Sequence, residues 1–352
     1  MKEKLSIIKD SIILNKMGGV SNLIKTAGSI FSEPLYTASF PIYIQIEPAI
    51  ICNLKCKMCI SPYLDRKTQC LSLEKFKIIE KQFPYLRKIS LVGVGEPLLN
   101  PDLFEIIQWA KSKKMLIGFT TNGVLLTKMN IENILNVEPD WLNISLDGAT
   151  KETYERIRQG ADFDLVINNI KELMKAKKNN KTDISLWFLG MRDNIEELPQ
   201  VVKLVSELGI KKLNMQTVHY WGKEEWKLRL NSQQLNDSLA KLKSIILQAI
   251  DTARKYNIRF NYVNTPFNKS KRVCQWPWKS CYITVDGFVT PCCIHGSDPQ
   301  VINFGNIFEK PFHEIWNNIE YQAFRKSLKS DVPPEICIGC TSYYEKFSLD
   351  KI

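Results

Sequence analysis

Three cysteines, Cys52, Cys56 and Cys59, fall within the stretch "EPAIICNLKCKMCIS", with three residues between the first pair and two between the second. Thiolates spaced in this way on one loop can point into a single concavity and bind metal. A structural zinc site closes its tetrahedron with four protein ligands, whereas a catalytic site keeps one position open. A [4Fe-4S] cluster takes four thiolates, so three would leave one iron free for an outside ligand. From the spacing alone, a zinc site completed from elsewhere in the chain competes with that reading.

The elements that must position this loop are legible as alternating patterns. From Pro41 to about Val218, short β-branched or aromatic runs alternate with amphipathic stretches, the pattern of repeated βα units around a parallel sheet. The strand candidates are "IYIQIEP", "KISLVGV", "MLIGFTT", "WLNISLD", "DISLWFLG" and "KKLNMQTV". Helical patterns lie between them, one opened by Pro101 and another closed by Gly209. The fold class is therefore α/β, a (β/α)6 partial TIM barrel, and the three cysteines sit in the loop after its first strand. The other strand ends also carry polar groups. Glu96 follows Gly93 and Gly95 at the second, "TTNG" (Thr120 to Gly123) ends the third and "SLDG" (Ser145 to Gly148) the fourth. The C-terminal ends of barrel strands form the catalytic face, and these small polar groups suit hydrogen bonds to a ribose and a carboxylate.

The chain of 352 residues suits one large domain plus a smaller one. The expected boundaries are an N-terminal amphipathic segment at 1–40, the barrel at 41–231, a connecting helix and strand at 232–273 and a small cysteine-bearing α+β module at 274–352. In the module, Asp286-Gly287 between two apolar runs signals a hairpin. At 44% hydrophobic and 24% charged the composition is that of a soluble globular protein. No signal-peptide core or membrane span is evident, which points to the cytoplasm. There, ten cysteines are metal ligands or reactive groups rather than a disulfide framework. The net charge of +11 is spread along the chain and reads as solvated lysine rather than a nucleic-acid surface, although it leaves room for an anionic small-molecule substrate.

The CxxxCxxC loop after the first barrel strand resembles the signature of the radical S-adenosylmethionine (SAM) superfamily, and the resemblance extends from Ile42 to Val218. It implies that Cys52, Cys56 and Cys59 hold a [4Fe-4S] cluster whose open iron is chelated by SAM, and that reductive cleavage of SAM gives a 5′-deoxyadenosyl radical that abstracts hydrogen from substrate. It further implies that Gly95 and Glu96 belong to the motif holding the SAM amino group, with Val94 in place of one glycine. Met58 stands where an aromatic often packs on the adenine. Thr121, Asn122, Ser145 and Asp147 would line the ribose and methionine parts, and Arg158 would pair with the SAM carboxylate.

The tail resembles the SPASM or shorter twitch modules of that superfamily, through Gly287 and Cys292 in "GFVTPC" and Cys337 and Cys340 in "CIGC". The resemblance implies one auxiliary [4Fe-4S] cluster on Cys274, Cys292, Cys337 and Cys340, with a four-cysteine zinc site as the rival from spacing. Cys281 and Cys293 are left over as hydrogen-donor candidates, and His219, at the sixth strand's end, as a base. Their ordinary roles are packing and structure.

The implied activity is oxidation or epimerisation of a sugar-like or other small metabolite, with a flavodoxin or ferredoxin as reducing partner. The alternative is modification of a peptide or protein side chain. Against this alternative, the 51 residues before Cys52 are too few for a leader-recognition domain. A non-catalytic iron–sulfur or zinc redox protein is the rival of another class, and the "GEP", "TTNG" and "SLDG" strand ends argue against it. The N-terminal segment is expected to pack on the barrel, with peripheral membrane contact as its other role.

Overall fold

The computed structural model describes residues 20–218, 233, 235, 239–263, 274–293, 296–338 and 340. In chain order its elements are α1 (Val20–Ser32), β1 (Tyr43–Ile46), α2 (Leu73–Lys81), β2 (Lys88–Leu91), α3 (Leu103–Ser112), β3 (Leu116–Thr121), α4 (Lys128–Val137) and β4 (Trp141–Ser145). Then come α5 (Lys151–Ile157), α6 (Phe163–Lys177), β5 (Asp183–Gly190), α7 (Leu198–Glu207), β6 (Lys212–Thr217), α8 (Leu239–Lys255) and β7 (Arg259–Val263). The last are α9 (Trp276–Lys279), β8 (Tyr282–Ile283), β9 (Val289–Thr290), α10 (Phe312–Trp316) and α11 (Ile319–Lys329). Side-chain caps start several helices: Ser72, Thr127, Thr150 and Asp162 each accept a backbone N–H three residues on.

One sheet runs through the molecule in the order β7-β6-β5-β4-β3-β2-β1-β8-β9. The six expected strands are present and parallel. The segment read as a connector differs from expectation: β7 pairs parallel with β6 and adds a seventh barrel strand, while α8 packs on α7. A polar residue between apolar ones, as in "RFNYV", lets that strand pack helices on one side and face the barrel interior on the other.

Each strand alternates in this way. Ile44, Ile46, Ile89, Leu91, Phe119, Ile144, Leu186 and Leu213 are buried in the core beneath the helices. On the inner face, Gly118 leaves room for Trp141; a Cβ there would stand 2.5 Å from the indole ring. Further along that face the side chains form a continuous hydrogen-bonded ladder. Asn143 Nδ2 donates to Thr120 Oγ1 (3.2 Å) and Ser185 Oγ to Asn143 Oδ1 (2.8 Å). Asn214 Nδ2 donates to Ser185 Oγ (3.2 Å) and Asn261 Nδ2 to Asn214 Oδ1 (3.1 Å). Bulky branched apolar residues usually fill this level of a βα barrel.

The module is built onto the sheet. The free edge of β1 takes β8 in parallel, Gln45 N–H donating to Cys281 O (3.0 Å) and Glu47 N–H to Ile283 O (2.9 Å). The expected hairpin is formed, with Gly287 at φ +94° in its turn.

The N-terminal segment also differs from expectation, because the described hydrogen bonds that residues 20–40 make outside the segment go to the module. Trp278 Nε1 donates to Pro34 O, Arg325 Nη1 to Leu35 O, Trp316 Nε1 to Ser39 O, and Asn317 bonds both the N–H and the C=O of Thr37. Arg325 is fully buried beneath this strap, its guanidinium over Trp316 and Tyr321 and bonded to the carbonyls of Pro277, Leu35 and Trp316. Among the described residues, no helix is long and apolar enough to cross a membrane.

Candidate active site

The cysteine loop leaves β1 and is fastened to the segment after α5. Lys55 N–H donates to Gln159 O (2.9 Å) and Lys57 N–H to Ile157 O (2.8 Å), so the two backbones flank Arg158. Cys59 N–H donates to Cys56 O (3.1 Å), and Ser61 N–H donates to the Cys59 sulfur at 3.3 Å. Asn122 Nδ2 lies 4.0 Å from the Cys52 sulfur. Burial pushes all three thiols up, Cys59 to about 12, and each feels the electrostatic field of Arg158 in the opposite sense. Among the described residues no three His, Cys, Asp or Glu side chains converge on a single metal ion. A cubane cluster spreads its thiolates over separate irons, so it asks the sulfurs to share one concavity and not one coordination shell. Three mutually interacting thiols with N–H groups at their sulfurs fit that requirement.

Glu96 is buried at 2% exposure, and its carboxylate braces the neighbouring strand end. Oε1 accepts from Thr121 Oγ1 (2.7 Å) and Leu98 N–H (3.1 Å), and Oε2 from Asn122 N–H (2.8 Å). Burial nevertheless pushes its carboxyl up from the ordinary range. Asn122 in turn bonds Asn53 at 2.8 Å, inside the cysteine loop. The resemblance pointed Glu96 at a ligand's amino group; its first observed task is to tie "TTNG" to the loop. Gly95 lies close against the start of the cysteine loop. A Cβ there would meet Ala49 O at 2.3 Å and Ile51 O at 2.6 Å, so the glycine lets that backbone pass close by.

Asp147 is fully buried and accepts Arg158 Nε (2.7 Å) and Nη2 (2.6 Å) on one oxygen and Leu189 N–H (2.8 Å) on the other. Arg158, expected on a ligand carboxylate, is thus held by this chain's own carboxylate and turned toward the cysteines. Ser145 ends β4 opposite Trp187 of β5. Met58 packs on a small apolar cluster with Ile157, Met191 and Val218, an apolar wall suited to a flat ring.

In the module, Cys337 lies within electrostatic reach of Cys274 and Cys340, and Cys292 within reach of Tyr321. Cys281 departs from its expected role: it is 0% exposed within the apolar core, where burial holds its thiol well above the ordinary range, and it serves as packing. Cys293 lies near Gln45 and Tyr43 of β1, and burial pushes it up to about 11. His219 lies outside the described residues.

One cluster of charged residues escaped the sequence reading. Arg66, from the segment after the cysteine loop, donates to both oxygens of buried Glu47 (3.2 and 2.6 Å), to Asp286 Oδ1 (2.8 Å) and to Ser297 O (3.0 Å). Val285 N–H donates to Glu47 Oε2 (3.0 Å). These bonds lock the loop's trailing end to the module hairpin. The only available signal was Glu47, a carboxylate at a strand end like Glu96.

Residues 46–219 match the family model described as the radical SAM superfamily, and residues 274–341 match SPASM, the iron–sulfur cluster-binding domain. The chain belongs to the radical SAM superfamily. Its radical SAM domain and SPASM module imply SAM and [4Fe-4S] clusters as cofactors; the three thiols of the cysteine loop fit a cluster, and in the module Cys274, Cys337 and Cys340 are brought together. Over 85% of its length the chain is 25% identical to the tungsten-containing aldehyde ferredoxin oxidoreductase cofactor-modifying protein of Pyrococcus furiosus, covering 87% of that protein. It is 26% identical to the PqqA peptide cyclase of Gluconobacter oxydans, over 85% of this chain and 82% of the cyclase. Among solved structures, Streptococcus suis SuiB bound to S-adenosylmethionine shares the fold with a TM-score of 0.69 at 16% identity, over 93% of this chain and 78% of SuiB.

Proposed function

We propose that this radical SAM enzyme modifies a side chain of a peptide or protein. The supporting observation is the similarity to a PqqA peptide cyclase across both the radical SAM and SPASM regions. It carries more weight than the sequence-based expectation of a sugar-like metabolite, which came from the tail's resemblance to single-cluster modules and from the short segment before Cys52.

Cys52, Cys56 and Cys59 hold the SAM-binding cluster, whose chemistry when bound is reductive cleavage of SAM to a 5′-deoxyadenosyl radical. Asn122 and Ser61 place N–H groups at two of the sulfurs. Glu96 fixes the "TTNG" turn beside them, and Asp147 orients Arg158 so that its positive charge offsets the thiolates. Met58 with its apolar neighbours shields the loop from water. Cys274, Cys292, Cys337 and Cys340 would hold the auxiliary cluster, and four thiolates would suit it to electron transfer rather than substrate ligation.

The test incubates anaerobically reconstituted protein with SAM, dithionite and native cell extract, and measures 5′-deoxyadenosine by mass spectrometry. Stimulation by extract that is lost when the extract is first digested with proteinase K supports a peptide substrate. Stimulation that survives digestion overturns it in favour of a small molecule.

A further inference from the structure

Tyr321 and Arg325 stand one turn apart on α11, where residues four apart share a helix face, and both are 0% exposed. The Arg325 guanidinium lies 4.5 Å from the centroid of the Tyr321 ring. Every hydrogen-bond acceptor it meets among the described residues is neutral: the carbonyls of Pro277, Leu35 and Trp316 and the side-chain oxygen of Asn317. A buried cation without a counter-charge is costly. The Tyr321 hydroxyl is buried too, and it finds no hydrogen-bond partner among the described residues. A phenol left in this state has given up its hydration without return.

The surroundings of the pair show what is missing. Arg325 Nε donates to Pro277 O (2.9 Å), just beyond Cys274 in the chain. The Tyr321 ring packs on Phe304 with centroids 4.0 Å apart, and Phe304 N–H donates to Val289 O (2.8 Å) in β9, the strand that leads to Cys292. Helix α11 therefore touches both ends of the hairpin segment that Cys274 and Cys292 bracket, and Cys292 lies within electrostatic reach of Tyr321. Cys281 is in reach as well, but its thiol stays protonated in the apolar core and is a weak acceptor. A cluster held by four thiolates carries net negative charge, and its sulfurs accept hydrogen bonds. It offers what both buried groups lack, an acceptor for the phenol and a negative charge for the guanidinium.

We infer that the Tyr321 O–H donates a hydrogen bond to a sulfur of the auxiliary cluster, backed by the charge of Arg325, and that this bond raises the cluster's reduction potential. Reduction adds one electron, and so one unit of negative charge, to the cluster. A donor at its sulfur, with a cation behind that donor, favours the reduced form. Arg325 over the ring draws electron density from the phenol oxygen and strengthens the O–H as a donor. The inference is independent of the peptide reading proposed above; it rests on the module holding an iron–sulfur cluster.

The test is a dye-mediated redox titration of the reconstituted full chain followed by EPR, with SAM added to identify the signal of the open-iron cluster. In Tyr321→Phe the ratio of reduced to oxidised auxiliary cluster at the parent's midpoint potential should fall by about threefold or more, while the SAM-binding cluster keeps its potential. ENDOR of the reduced auxiliary cluster should lose one exchangeable-proton coupling in the same variant. Because the hydroxyl has no partner among the described protein groups, Tyr321→Phe should keep the iron content and the metal-free Tm of the parent. An unmoved auxiliary potential in iron-replete Tyr321→Phe, equal shifts at both clusters, or a complete set of exchangeable couplings would overturn the inference. Zinc in the module of the parent, read from metal content before any titration, would overturn the cluster assignment and the inference with it, so the two failures are distinguishable.

Discussion

Arg158 gives both its Nε and its Nη2 to one oxygen of Asp147, at 2.7 and 2.6 Å, and from that position its charge reaches Cys52, Cys56 and Cys59. A single buried carboxylate, three strands along the sheet, thus orients the charge that the cysteine loop feels.

Asp147→Asn should be severely destabilising, by about 3–5 kcal/mol, because it strands a buried guanidinium without its counter-charge. Denaturant unfolding of the variant measures the loss. Iron content after reconstitution should fall with it, since the Lys55–Gln159 and Lys57–Ile157 backbone bonds flank the displaced arginine.

Glu96→Gln keeps the shape but turns an NH2 toward a backbone N–H, of Asn122 or of Leu98, that needs an acceptor. About 1–3 kcal/mol of stability should be lost. Asn122 should loosen from Cys52 and Asn53, and SAM affinity, measured by equilibrium dialysis, should weaken as the "TTNG" turn frees itself.

Strand order, the cysteine loop and the module hairpin were legible because their signals are local: period-two strands, CxxxCxxC, and Asp286-Gly287. What stayed hidden depends on which distant elements meet. The pairing of β8 with β1, the strap over Arg325 and the Glu47–Arg66–Asp286 lock join residues more than two hundred positions apart. Glu96, Gly95 and Arg158 were singled out in the sequence, but sequence could not say which protein groups stand next to them. The ladder was written in the strands as Thr120, Asn143, Ser185, Asn214 and Asn261, and reads as a unit only once register is known.

Arg66→Ala removes the lock and leaves Glu47 buried with a backbone N–H as its remaining anchor. The expected cost is about 3–5 kcal/mol. Limited proteolysis should then cut between the barrel and the hairpin of the module sooner than in the parent, and a variant that resists cleavage as the parent does would show that the β1–β8 pairing alone holds the module.

The two cysteine sets should separate by metal count and by chemistry. Parent protein should hold about eight irons, and Cys56→Ala or Cys337→Ala about four, as befits one cluster lost. Iron near four with one zinc in the parent would mean that the auxiliary site is a zinc site.

The most direct measurement of the central claim is 5′-deoxyadenosine formation by the anaerobically reconstituted protein with SAM and dithionite, in the absence of any substrate. The account predicts dithionite-dependent 5′-deoxyadenosine and methionine in equal amounts, abolished in Cys52→Ala, Cys56→Ala and Cys59→Ala and retained in Cys281→Ala. An iron-replete protein that forms neither product would contradict it.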